Sequence, residues 1–120
     1  MLINHPLDRE MTHNNKTPNN TPTLWNNQQI VARGKNNLDN LYEVFYSGTS
    51  GNEEIFFRKS NNNGTSWGDP RRISSGNGGN SCPCISVTDD GDNDGIHVVW
   101  QKKISGVNYR YKIYYQKSTN

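Results

Sequence analysis

The chain has 120 residues, of which 30% are hydrophobic and 20% charged, with 11 glycines and a formal net charge of +2. A domain of that length can bury a core, but so few apolar residues among so many Asn and Gly favour short strands joined by turns over long helices. The 13 basic and 11 acidic residues form no basic stripe, which excludes a phosphate-tracking nucleic-acid face, and no run approaches the roughly 20 apolar residues of a membrane-spanning helix.

In chain order, residues 1–28 read as a polar tail or linker, because Asn, Thr and Pro dominate and the apolar residues follow neither the helical nor the strand period. Trp25 is the one anchor there. Met1 to Thr17 holds no apolar run resembling the centre of a signal peptide, which leaves the compartment open. Seven short runs rich in β-branched and aromatic residues then alternate with turn clusters, and each predicts a strand: Gln29 to Arg33, Leu41 to Tyr46, Glu54 to Lys59, Arg71 to Ser75, Ile85 to Thr88, Ile96 to Gln101 and Tyr111 to Lys117. No window repeats apolar residues at helical spacing, so the expected fold class is all-β. Cys82-Pro83-Cys84 is too tight for an easy disulfide and lacks the second pair a zinc site requires, so the two cysteines read as half-buried strand residues.

The chain repeats itself. Glu54 to Asn62 lies over Lys112 to Asn120 at an offset of 58, aromatic on aromatic and Ile55 on Ile113. Tyr42, Val44 and Tyr46 lie over Ile96, Val98 and Trp100 at an offset of 54, and Ile30 over Ile85 at 55. The expected units are four-stranded antiparallel sheets, residues 29–80 and a second, 81–120, that stops before its last strand. Two such sheets stacked face to face suit the blades of a propeller, with a β-sandwich as the other arrangement. If the spacing reflects two copies of one sheet module, Ile55 and Ile113 are expected in equivalent surroundings.

Ser60-Asn61-Asn62-Asn63-Gly64-Thr65-Ser66-Trp67 follows the third strand, and the echo Ser118-Thr119-Asn120 follows the seventh. Each position has a task in a tight hairpin: Gly64 for a positive φ, Asn62 to bond the backbone, Ser60 and Ser66 at the neck, and Trp67 as an apolar plug. The octapeptide is similar to the Asp-box, or BNR repeat, of the sialidase-like β-propellers. The resemblance covers roughly residues 29–120 and implies two blades of a six-bladed propeller, with the chain a fragment of a longer one. In that family the boxes lie at the blade periphery and are architectural, so Ser60, Asn62, Gly64, Ser66 and Trp67 are expected to shape the fold.

Sialidase-like catalysis requires an arginine triad, a tyrosine nucleophile with its glutamate, and an aspartate acid/base. None of Arg33, Arg58, Arg71, Arg72 or Arg110 lies in the Arg-Ile-Pro context of the family's first arginine. Tyr42 and Glu43 are adjacent on a strand and therefore point to opposite faces. No catalytic residue is assigned. Asp90, Asp92 and Asp94 match the opening of a calcium loop, but Gln101 and Val98 stand where such loops place their closing acid, so a plain hairpin turn is the competing reading. Calcium is the only cofactor the sequence suggests.

The sequence supports a non-catalytic propeller segment that binds a glycan or a protein, with self-association or the parent's other blades as further partners. One alternative is a fragment of an exo-α-sialidase; another is a small lectin that closes a propeller ring by trimerising. The resemblance implies an extracellular or cell-surface setting.

Overall fold

The computed structural model describes residues 29–104 and 110–119; the predicted tail, 1–28, lies outside the described residues. Among those described there is no helix, and the chain forms two antiparallel sheets. Sheet A has the order β1 (Val31–Arg33), β2 (Leu41–Ser47), β3 (Glu54–Ser60), β4 (Arg71–Arg72). Sheet B has the order β5 (Asn80–Asp89), β6 (Asp94–Lys103), β7 (Tyr111–Thr119). All seven expected strands are present, and each pairs only with its neighbours in sequence.

The two sheets pack face to face, with β5 lying across β1, β2 and β3. The core between them is Ala32, Tyr42, Val44 and Ile55 from sheet A against Ile85, Val87, Ile96, Val98 and Trp100 from sheet B. Alternation explains which residues these are: side chains two apart on a strand share a face, so Tyr42 and Val44 point to sheet B while Glu43 and Phe45 point away. Both faces of β2 are nonetheless buried, since Glu43 and Phe45 have no accessible surface. A strand covered on both sides is the pattern of a sheet held between two layers.

Every strand differs from its expected limits by at least one residue, and for two the physical reason is visible. β4 is only Arg71–Arg72: the Ile73 amide makes a last bond to Ile55 O, and the Ile55 amide then goes to Ser74 Oγ in place of a backbone carbonyl. β5 begins at Asn80, five residues before the expected Ile85. The early part was masked in the sequence by Pro83 and by a bulge between Ser81 and Cys84, where Cys82 takes a φ of 54°. Cys82 and Cys84 are half-buried and both are free thiols.

The registers also correct the repeat. Ile55 pairs with Tyr46, whereas Ile113 pairs with Gln101, so equivalence of the isoleucines maps β2 onto β6 at 101 − 46 = 55, one more than expected. Leu41, Val44 and Phe45 then correspond to Ile96, Val99 and Trp100. A one-residue change of register exchanges the two faces of a strand, which is why both alignments looked acceptable on composition. With the corrected register the face of sheet A buried against sheet B, Tyr42, Val44, Ile55 and Phe57, corresponds to His97, Val99, Ile113 and Tyr115 on the far side of sheet B. The sheets therefore stack in the same sense, as successive units, and do not face each other as mirror partners. Ile55 and Ile113 hold equivalent positions but not equivalent surroundings: the first is fully buried and the second 73% exposed, since no described residue covers the far face of sheet B.

Candidate functional site

The strand order sorts the connections between the two ends of the molecule. The turns β1–β2, β3–β4 and β5–β6 gather at one end, and the connections β2–β3 and β4–β5 at the other.

The octapeptide 60–67 makes the β3–β4 turn at the first end. Ser60 is buried and its hydroxyl donates to Asn62 Oδ1 at 2.9 Å while accepting the Gly64 amide at 2.9 Å. Asn62 reaches across the turn, with Nδ2 donating to Ser66 Oγ at 2.7 Å and Oδ1 accepting the Ser66 amide at 2.9 Å. The two serines are thus joined through the asparagine, whose side-chain bonds reinforce the backbone bonds from Thr65 N to Asn62 O and from Gly68 N to Lys59 O. Asn63 and Gly64 take φ of 57° and 86°, the left-handed region that Asn and Gly tolerate best. The Asn63 amide bonds Asp39 O at 2.7 Å and ties this turn to the β1–β2 turn.

Trp67 is half-buried, and the Arg58 guanidinium lies over its ring at 5.0 Å. Arg58 in turn pairs with Glu43 at 2.5 Å, and both side chains are almost wholly inaccessible. The tryptophan therefore caps a buried ion pair. That role was not legible in the octapeptide, because Arg58 and Glu43 lie outside it; their cross-strand pairing is the only sequence signal that could have found it.

The three aspartates expected as calcium candidates turn to different partners. Asp94 is buried: its Oδ1 accepts the amides of Lys35 and Asn36, each at 2.7 Å, and its Oδ2 accepts the Tyr42 hydroxyl at 2.7 Å. Burial pushes this carboxyl up, but those donors outweigh it and hold it below the usual carboxylate range. Asp90 accepts from Thr88 Oγ1 at 2.7 Å and pairs with Lys117 at 2.7 Å, which holds it below its ordinary value as well. Asp92 is exposed at the tip of the β5–β6 turn, which the Asp90 amide closes onto Asn93 O. Among the described residues no group of three or more His, Cys, Asp or Glu converges on one point.

A polar chain runs across the far face of sheet B. Thr88 Oγ1 donates to Asp90 and lies 2.8 Å from His97 Nε2, and His97 Nδ1 is hydrogen-bonded to the Tyr115 hydroxyl at 2.8 Å.

The opposite end is open. A cleft of about 320 Å³ lies between the β2–β3 loop and the start of sheet B, within the range of small-ligand pockets, and is lined by Tyr46, Glu53, Ser81, Lys103 and Tyr111. Burial, and then the neighbouring Cys82 and Glu53, raise the Tyr46 phenol above its ordinary value, so it remains a hydrogen-bond donor. Two tyrosines with a carboxylate, an ammonium and a hydroxyl supply flat apolar faces beside donors and acceptors. A second cleft, about 90 Å³, opens between Phe57 and Ile73 of sheet A and Ile96 and Val98 of sheet B; its walls are mainly apolar. Among the described residues no arginine lines the larger cleft; Arg72 is engaged by Glu54 at 3.1 Å and Arg58 lies at the buried ion pair.

No protein-family model, curated protein or solved structure matches the chain.

Proposed function

We propose that the chain is a non-catalytic, Asp-box-type repeat segment of a sialidase-like β-propeller, and that its open end binds carbohydrate. The observation that carries this reading is the stacking of two equivalent sheets in the same sense, with the octapeptide turn closing one end and the Tyr46–Glu53–Lys103–Tyr111 cleft at the other. Stacked repeats place their adaptable loops on one rim, and a polar cleft between aromatic side chains suits a sugar, which offers hydroxyls at its edge and C–H groups on its face.

A glycan array with the purified chain tests it, together with turnover of a fluorogenic aryl sialoside. Binding to a defined glycan that is lost in Tyr46→Ala and Lys103→Ala, without hydrolysis of the sialoside, is the expected result. Hydrolysis by the chain would replace this reading with the glycosidase alternative, and a silent array would remove the carbohydrate.

A further inference from the structure

Cys82 stands where a bulge of this kind takes a glycine. Ser81 pairs with Gln101 and Cys84 with Val99, so Cys82 and Pro83 together oppose the single residue Trp100, and Cys82 has a φ of 54°. A bulge that opens on a left-handed residue is ordinarily made with glycine there, because a side chain in that conformation is strained. Among the described residues the other non-glycine with a positive φ is Asn63, a residue type that tolerates it. A strained side chain retained inside a strand marks a task for the side chain itself.

The second sulfur lies on the same side of the sheet. Cys84 is directly opposite Val99 on the far face of sheet B, and Gln101, two places along β6, shares that face. Gln101 Nε2 is 3.2 Å from Ser81 Oγ and 3.6 Å from Cys82 Sγ, which brings the Cys82 thiol to the same face. Both thiols are free and half-buried. Side chains two apart on one face of a strand are rooted roughly 6.5 Å from each other. A disulfide needs its β-carbons within about 4.5 Å, so that spacing is too wide for one, whereas two thiolate bonds to a metal ion, each about 2.3 Å long, span it.

We infer that Cys82 and Cys84 chelate a soft monovalent metal ion, copper(I), as a two-coordinate dithiolate. Structural zinc sites take four ligands, and among the described residues no third His, Cys, Asp or Glu joins this pair to hold a metal. Copper(I) is selected by thiolate sulfur and suits so small a donor set. Each thiol releases its proton to solvent as it binds, so two neutral thiols and one Cu⁺ give a complex of single negative charge and two protons. The Gln101 amide already donates toward Cys82 Sγ and is placed to stabilise the charge that sulfur then carries. The site is built on β5, two strands away from β7, and requires no glycan at the open end.

Anaerobic titration of the reduced full chain with copper(I), in competition with a chromophoric copper(I) chelator, tests it. One ion per chain is expected, with a thiolate-to-copper charge-transfer band in the ultraviolet. Cys82→Ser and Cys84→Ser should each weaken binding about a hundredfold and remove the band, the loss expected on removing a ligand. Cys82→Gly should lose the ion in the same way while its melting temperature holds or rises, because glycine accepts the left-handed conformation. In a Cys84→Ser, Thr65→Cys chain the second thiol stands in the β3–β4 turn, at the other end of the molecule, and copper(I) should pass to the chelator. Wild-type affinity no greater than that of the single-cysteine variants, or equal affinity in the chain with the displaced thiol, would overturn the proposal.

Discussion

Tyr42 donates its hydroxyl to Asp94 across the sheet interface at 2.7 Å, the centre of a latch that also holds the Lys35 and Asn36 amides. The residue that resembles a calcium ligand in sequence binds the neighbouring sheet's first turn. Hydrogen bonds to an ionised group contribute about 1.5–3 kcal/mol, so Asp94→Asn and Tyr42→Phe should each destabilise by about that amount. The two effects are expected to be less than additive in a double-mutant cycle read by chemical denaturation, because they share one bond.

The same carboxyl sets an acid dependence. Its folded value is lowered, so its stabilisation is complete above the ordinary carboxylate value and is lost as pH falls through the folded one. Melting temperatures measured down into that acid range should fall more steeply for the wild type than for Asp94→Asn. Parallel curves would show that the latch does not titrate with folding.

The buried ion pair is expected to be the most sensitive point of sheet A. Arg58→Ala removes the guanidinium that pairs with the inaccessible Glu43, and breaking a buried pair costs about 3–5 kcal/mol. Trp67→Ala removes the ring over the guanidinium and, being only half-buried, should cost less, about 2 kcal/mol. Urea midpoints for the two variants give the order directly; an equal loss would mean that the tryptophan, not the pair, organises this corner.

The octapeptide turn makes its own prediction. Asn62→Ala removes both side-chain bonds across the loop and should cost about 1–2 kcal/mol. Gly64→Ala forces a side chain into a φ of 86°, with its Cβ 3.3 Å from Leu41 Cδ1, and should cost about as much. Little change in thermal unfolding for either would remove the architectural role of the turn.

Adjacent valines test the sheet register. Val98 is 4% exposed against sheet A and Val99 is 40% exposed on the far face. Val98→Asp should unfold the chain, while Val99→Asp should leave its melting temperature within a few degrees.

The strands were legible because β-branched and aromatic runs between Asn and Gly clusters admit few other structures, and the octapeptide turn was legible because its side-chain bonds are local. The relative register of the repeat was not. A strand's period of two leaves an alignment ambiguous by one residue whenever both faces carry apolar side chains, as Leu41-Tyr42-Glu43-Val44-Phe45 and Ile96-His97-Val98-Val99-Trp100 do. The Asp94 latch was hidden for a different reason: its partners lie 52 to 59 residues away, and only the stacking of the sheets brings them together.

The irregular step between Ser81 and Cys84 acts as a parity switch in β5. Asn80 and Ile85 are five positions apart and should look in opposite directions, yet both turn toward sheet A, Asn80 accepting from Trp100 Nε1 at 3.0 Å and donating to Glu54. One supernumerary residue thus lets a polar anchor and an aliphatic core share a single surface. Excising Cys82 should rotate whichever half of the strand is less firmly held, and the loser would be either that indole's acceptor or the packing around Ile85.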